Sequence, residues 1–261
     1  MTKNHLFSLL ALLLVLPLAV GCGGGDGAPE TEAPAPAAEP AQGGSGSIAG
    51  AVTYSNGDPD QPIAMDADPK CAEMHADPVY TQKIVAGDDG GLANAFVYIS
   101  SGLEGKKFPA PGEPHVLDQK GCQYTPHVSG MMTGQTLIIR NSDETLHNVH
   151  ARPANNPEFN QGQPFQGMEL ERTFSKAEVM IPFKCDVHPW MASYMAALDH
   201  PFFAVTGEDG SFSIEGVPAG SYTLEVWHEE LGTQTQQVEV ADGAAVEANW
   251  SFGGGDAASG L

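Results

Sequence analysis

Basic side chains are scarce in this sequence. Its 261 residues contain 11 Lys and Arg against 33 Asp and Glu, which gives a formal net charge of −22 at pH 7. Because contacts to nucleic-acid phosphates need basic side chains, this balance argues against a nucleic-acid partner. The acidic surplus keeps the chain soluble, and as an alternative role it would attract a basic protein partner over long range.

Several motifs typical of enzymes are also missing. The sequence has no G-x-S-x-G nucleophile elbow, no phosphate-binding G-x-x-x-x-G-K-[ST] loop and no C-x-x-C-H haem attachment site. The run His228-Glu229-Glu230 lacks the H-E-x-x-H spacing of a zinc hydrolase, and no two Cys form a C-x-x-C pair. We therefore expect a protein that is not an enzyme.

The N-terminus carries an apolar run from Leu6 to Val20, which Lys3 and His5 precede. This run is too short to span a bilayer comfortably, so residues 1–21 are predicted to be a signal peptide. The position of Cys22 resembles a bacterial lipobox, which implies a lipidated N-terminus; an ordinary signal peptide with an incidental Cys is the alternative. Residues 22–46 are mostly Gly, Ala, Pro, Glu and Ser and predict a disordered tether. We thus expect an exported protein, lipid-anchored to a bacterial membrane and facing the periplasm or the cell surface.

The rest of the chain shows short β-rich runs and no long helical period. Gly, Pro, Asn and Asp separate these runs, which is typical of sandwich or barrel domains. We predict an all-β fold with strands near residues 47–54, 92–99, 136–140, 179–183, 212–214, 222–227 and 237–240.

The stretch from Phe183 to Met191 gathers soft metal donors. Cys185, His188 and Met191 lie within seven residues, and His147 lies upstream. One Cys, two His and one Met form the donor set of a mononuclear blue-copper site, in which a long Met bond is axial. The pattern therefore indicates electron transfer or copper handling.

Two positions in this donor set have competitors. His147 and His150 are three residues apart, so on a strand their side chains point to opposite faces and only one reaches a given metal ion. His150 is then expected at the surface or rim. Met195 competes with Met191 as the axial donor, but it would lengthen the loop and is expected to pack in the core.

Segment 113–202 resembles the cupredoxin family, which includes plastocyanin, azurin and amicyanin. The resemblance rests on the strand at 134–143, on the pair His147-Asn148 and on Cys185-x-x-His188-Pro189-x-Met191, which has the spacing of the amicyanin ligand loop. It implies a Greek-key sandwich that binds one type 1 copper ion through His147, Cys185, His188 and Met191. It also implies that Asn148 forms hydrogen bonds across to the ligand loop.

The C-terminal part resembles a second family. The turn-and-strand units at 206–214 and 216–224 are similar to the carboxypeptidase regulatory-like, or transthyretin-like, β-sandwich, whose first strands resemble 50–54 and 92–99. We predict that residues 47–112 and 203–252 form this sandwich, with the cupredoxin-like domain inserted in it. A tandem, adjacent arrangement is the alternative. Residues 253–261 are expected to form a flexible tail.

The remaining cysteines form one possible pair. With Cys22 assigned to lipid and Cys185 to metal, Cys71 and Cys122 are left, and we predict a disulfide between them. Closing a loop of about fifty residues would stabilise the fold by roughly 4 kcal/mol in the chain-entropy model. Two buried free thiols are the alternative.

Three functions follow from these features. The complete donor set predicts a one-electron carrier whose partner is a redox protein, such as a basic cytochrome c or an oxidase. Extra soft residues, including a possible second copper(I) site at His127, Met131 and Met132, favour a copper-binding or delivery module instead. A sandwich for adhesion or carbohydrate binding is the third hypothesis.

Overall fold

The computed structural model describes residues 43–56 and 60–253. The predictions for the signal peptide 1–21, for Cys22, for the tether up to residue 42 and for the tail from residue 254 onwards lie outside the described residues. Within the described ranges, no helix is both long and apolar enough to cross a membrane.

The described part of the chain is nearly all β, which confirms the predicted fold class. Helical structure among these residues is a 3-10 turn at Met65–Ala67 and one short helix, α1 (Pro69–Glu73). The strands are β1 (Gly46–Tyr54), β2 (Phe96–Ser101), β3 (His115–Lys120), β4 (Gln123–Thr125), β5 (Val128–Met132), β6 (Leu137–Asn141), β7 (His147–Ala151), β8 (Phe159–Gln163), β9 (Glu169–Arg172), β10 (Glu178–Lys184), β11 (Ala192–Leu198), β12 (Phe203–Val205), β13 (Ser211–Val217), β14 (Gly220–His228), β15 (Gly232–Val240), β16 (Ala245–Glu247) and β17 (Trp250–Phe252).

The first sandwich takes its strands from both ends of the described chain. One sheet has the order β13-β1-β16, with β17 also paired to β1, and the other has the order β12-β2-β14-β15. Alternate residues of β14 are buried, including Tyr222, Leu224 and Val226, because successive side chains of a strand face opposite sides. They pack with Ile48 and Val52 of β1 in one apolar core.

The second sandwich contains the nine strands from β3 to β11. Its sheets have the orders β5-β11-β10-β7-β8 and β4-β3-β6-β9. Since these strands follow β2 and precede β12, the second sandwich is inserted into the first. Its own core includes Leu117, Ile139, Phe183 and Met195.

The two sandwiches meet across an apolar layer. Phe96 of β2 and Phe203 of β12 pack in one cluster with Val128 of β5 and Ala196 of β11. Gly130 of β5 allows this close approach, because a Cβ there would lie 2.6 Å from the Phe203 ring and 2.7 Å from the Phe96 ring. The two modules are therefore packed directly against each other.

One segment departs from the predicted division of the chain. Residues 47–112 were expected in the first sandwich, yet Met65 and Cys71 are buried in the core of the second. The reason is the covalent bond from Cys71 to Cys122, which fastens α1 to the second sandwich. The predicted strand at 92–99 also begins later, at Phe96, since Asn94 adopts a left-handed φ of 60°.

Candidate metal centre

Two neighbouring strands bring the candidate ligands together. β7 begins at His147, and Cys185 directly follows β10, which pairs antiparallel with β7. The loop from Cys185 to Met191 then turns back into β11. Its turn is closed by hydrogen bonds from the Met191 N–H to the His188 carbonyl (2.9 Å) and from the Cys185 N–H to the Met191 carbonyl (3.3 Å).

Three donor atoms converge at this point. The Nδ1 atoms of His147 and His188 are 3.0 Å apart, and the Cys185 Sγ lies 3.7 Å from the His188 Nδ1. The donor atoms of the three residues all lie within 4.8 Å of one another, and the three side chains are almost fully buried. The structure thus gathers His147, Cys185 and His188 into one cluster that could hold a metal ion.

Carboxylates set the orientation of both imidazoles. Nε2 of His147 donates to Asp143 Oδ2 at 2.9 Å, and Nε2 of His188 donates to Asp68 Oδ2 at 3.0 Å. A neutral imidazole that donates through Nε2 presents a lone pair at Nδ1. Both lone pairs therefore face the same space beside the Cys185 sulfur, an arrangement that a cation satisfies.

The electrostatics favour a positive charge in the cluster. Burial alone would raise the pKa of Cys185, but hydrogen bonds with His147 and His188 outweigh it and lower that pKa to about 6. The lowered pKa favours the thiolate, which is the form that binds metals. Burial lowers the pKa of each imidazole, yet the carboxylate and thiolate neighbours raise it overall. The surroundings that attract a proton attract a metal cation in the same way.

The two methionines differ in position. Met191 is buried in the ligand loop, and its backbone is hydrogen-bonded to both Cys185 and His188. Met195 lies in the middle of β11 and is fully buried in the core of the second sandwich. Both methionines pack in the core of the second sandwich, and Met191 is the one that lies in the ligand loop.

Asn148 joins the first ligand strand to the ligand loop. Its Oδ1 accepts the Asp186 N–H at 2.6 Å and lies 3.4 Å from the Cys185 Sγ. Its Nδ2 donates to Asn160 Oδ1 at 2.7 Å, which fixes the amide orientation. Asn148 therefore orients Cys185 from the strand that carries His147.

The competing histidines lie elsewhere. His150 is at the rim, where its Nε2 is 2.8 Å from Glu158 Oε1, and it is not part of the cluster. His127 donates through Nδ1 to the Ala192 carbonyl at 3.1 Å, and its Nε2 pairs with Glu229. Both ring nitrogens of His127 are thus engaged with protein atoms, which leaves neither for a second copper ion.

The sequence interpretation missed Asp68, Asp143 and the neighbourhood of the disulfide. Cys71 and Cys122 form the disulfide, with Cα atoms 5.6 Å apart, and the Cys71 Sγ lies 3.5 Å from the His188 Nε2. Asp68 followed by Pro69 is a typical helix start, so its capping role was open to prediction. No sequence signal places either carboxylate beside a histidine, because both contacts depend on tertiary packing.

Comparison with protein families supports the resemblance of the C-terminal part. Residues 197–252 match the family model of the carboxypeptidase regulatory-like domain. This confirms the resemblance of the C-terminal part. No curated protein matches the sequence.

The similar solved structures are copper proteins by their titles. A copper-containing nitrite reductase (NirK) from Thermus scotoductus SA-01 is 21% identical over 37% of this chain, with a TM-score of 0.32, and only 24% of that reductase is covered. A purple cupredoxin from Nitrosopumilus maritimus is 20% identical over 32% of this chain and 98% of its own, with a TM-score of 0.28. A mutant amicyanin in its copper(I) form is 21% identical over 39% of this chain and 97% of its own, with a TM-score of 0.29.

Proposed function

We propose that this protein is a one-electron carrier with a single copper ion held by His147, Cys185, His188 and Met191. The observation that carries the proposal is the convergence of two imidazole nitrogens and one thiolate in a buried cluster. Two imidazoles and a thiolate with a weak thioether are the donors that suit blue copper. When bound, copper supplies a one-electron step between its copper(I) and copper(II) states.

The protein's own contribution is a preformed and covered site. His147 and Cys185 are fixed by adjacent strands, and His188 is held in a short loop closed by backbone hydrogen bonds. Ligands held in this way change little in position between oxidation states. Because the donor atoms are buried, a carrier role fits better than chemistry on a bound substrate.

The test is spectroscopic. The full chain is loaded with copper(II), and its visible and paramagnetic-resonance spectra are compared with those of Cys185→Ser. The wild type is expected to show an intense blue or green colour, and the variant none. The same donors also suit zinc, so a wild type that stays colourless with copper while binding zinc would contradict the proposal.

Copper delivery is the second candidate function. It is favoured by the way His188 is covered. Asp68, the N-cap of the short helix α1, contacts His188 and has a side chain that is 26% exposed, so this cover is in part open to solvent. Electron exchange with a basic cytochrome c, compared with copper transfer to an apo-oxidase, separates the two functions. Transfer of copper without electron exchange would replace the carrier by a delivery module.

We also propose that the carrier is exported and anchored through Cys22, and that it meets a basic redox protein. The N-terminal apolar run and the net charge of −22 support these two points. The disulfide supports export as well, because such bonds persist in oxidising compartments. Fractionation of cells that express Cys22→Ala should find the protein released from the membrane.

A further inference from the structure

The outer edge of His188 is covered by a distant part of the chain. His188 lies in the loop between β10 and β11, yet only 1% of the residue is exposed. Its Nε2 donates to Asp68 Oδ2 at 3.0 Å, a contact between residues 120 positions apart in sequence. The segment that contains α1 therefore covers this edge of the ring, and Trp190 of the loop packs on it with ring centroids 5.2 Å apart.

Asp68 is itself held firmly on the other oxygen. It is the N-cap of α1, and its Oδ1 accepts the N–H groups of Lys70 at 2.9 Å and Cys71 at 3.4 Å. The helix is fastened by the disulfide to Cys122 and by a hydrogen bond from Lys70 Nζ to the Glu144 carbonyl at 2.9 Å. The remaining oxygen, Oδ2, is therefore presented to His188 at a fixed place.

The second histidine has a matching arrangement. Asp143 Oδ2 accepts both the His147 Nε2–H at 2.9 Å and the Cys122 N–H at 2.8 Å. Each half of the disulfide thus donates its backbone N–H to the carboxylate that orients one histidine. Asp143 is buried inside the sandwich, whereas Asp68 is its partly exposed counterpart on a short helix. Of the two carboxylates, Asp68 is the one that can also serve as a cover.

We propose that Asp68 is the positioning residue of His188 and covers the edge of its ring, so that it slows the loss of copper from the site. This inference rests on the proposed copper function. By accepting the Nε2–H, Asp68 keeps the Nδ1 lone pair turned toward Cys185 and His147. By covering the ring edge, it blocks a chelating molecule from the ion. Its negative charge stabilises the more positive copper(II) state and so lowers the reduction potential.

The test uses two variants of Asp68 and a matched control. Asp68→Asn keeps one oxygen for the N-cap of α1 but replaces Oδ2 by an NH2 group, so it loses the charge and the acceptor for the His188 N–H. Asp68→Ala removes the whole side-chain contact. Asp66→Asn removes the same charge from an exposed position two residues away. Each full-length protein is loaded with copper(I) and mixed with the chelator bicinchoninate. Reduction potentials are measured on the copper-loaded proteins without chelator, and visible spectra are recorded after oxidation to copper(II).

Asp68→Ala is expected to lose copper to the chelator about 10- to 100-fold faster than the wild type, in line with typical losses of affinity when an outer hydrogen-bond partner is removed. Asp68→Asn is expected to have a raised reduction potential, while Asp66→Asn stays within about twofold of wild type in rate. If both Asp68 variants match Asp66→Asn in rate and potential, the role of Asp68 is overturned.

The outcome for Asp68 is separable from the outcome for copper. A wild type with the blue or green band and Asp68 variants that match the control would remove only the positioning role. A wild type without the band would remove the copper function and this inference with it. Thermal unfolding of the metal-free proteins checks that each variant is folded. A faster loss of copper is then not caused by unfolding.

Discussion

The two sandwiches differ in the side chains that they bury. The first has an apolar core in which strands from the two ends of the described chain interdigitate. In the second, polar side chains are buried as well: among the described residues, all the buried polar or charged side chains except Thr206 and His228 lie between residues 119 and 193. The comparison indicates that the buried polar side chains, including those of the candidate metal cluster, are concentrated in the second sandwich.

The buried polar groups of the second sandwich form a connected network. Asn141 Nδ2 donates to the carbonyls of Thr145 (2.9 Å) and Gln163 (2.8 Å), and Gln119 Nε2 donates to Gln163 Oε1 (2.6 Å). Asn141 Oδ1 also accepts the Asp143 N–H at 2.9 Å. The Gln119 Oε1 is buried without a hydrogen-bond partner, but the bonds made by Asn141 fix the turn that brings Asp143 to His147.

Replacing Cys185 by Ala should have the largest effect, and only on the second sandwich. The thiolate is the one sulfur anion in the cluster, so its removal should abolish the copper-dependent colour. Visible spectra of the copper-loaded variant measure this. Cys185 is not part of the core of the first sandwich. The first sandwich should therefore keep its cooperative unfolding, which circular dichroism measures. Retained colour would show that another sulfur serves as the ligand.

Leu224→Ala should give the opposite result. Leu224 is fully buried in the core of the first sandwich, so truncation should lower the free energy of unfolding by about 2–5 kcal/mol. The copper spectrum of the folded variant should stay unchanged. Urea unfolding measures the loss, with exposed Thr235→Ala on the neighbouring strand as the control. A shifted spectrum would mean that the first sandwich also sets the geometry of the site.

Acid should weaken the first sandwich through His228. Burial penalises the charged imidazole and lowers the pKa of His228 from 6.5 to about 4, so the unfolded chain binds a proton more readily between these values. Stability from this group is complete above pH 6.5 and falls as the pH drops toward 4, by at most about 3 kcal/mol. Urea unfolding at pH 7 and pH 4 should show a smaller acid loss for His228→Gln than for wild type. Equal losses would assign the acid sensitivity to other groups.

Asn148→Ala should weaken copper binding without abolishing it. The variant keeps every predicted ligand but loses the hydrogen bonds that orient Cys185 and Asp186. Copper affinity should fall about 10- to 100-fold, which competition with a chelator measures. Asn160→Ala is the matched control, because the Asn160 amide bonds to Asn148 and to Asp186 Oδ2 (2.7 Å) rather than to Cys185, and its loss should have a smaller effect. Equal losses in the two variants would place the effect in the loop as a whole.

The sequence predicted the elements better than the contacts between them. Alternation of apolar residues located strands such as β1 and β14, and the donor spacing singled out Cys185, His188 and Met191, because both patterns are local. The position of Asp68 on His188 could not be predicted, since that contact joins residues 120 apart and depends on how α1 docks. The predicted pairing of Cys71 with Cys122 likewise did not indicate that this disulfide lies beside the candidate metal site.

The smallest effect should come from a polar contact on the surface of the second sandwich. Arg140 and Glu169 form an ion pair at 2.7 Å, but both side chains are more than 40% exposed. Water and salt screen such a pair, so Glu169→Gln should change the free energy of unfolding by less than about 1 kcal/mol. Asn141→Ala, in the buried network, should cost about 1–3 kcal/mol because its partners lose hydrogen bonds without gaining water. Urea unfolding of both variants compares them directly. Equal costs would mean that the buried polar network adds no more stability to the second sandwich than an exposed ion pair does.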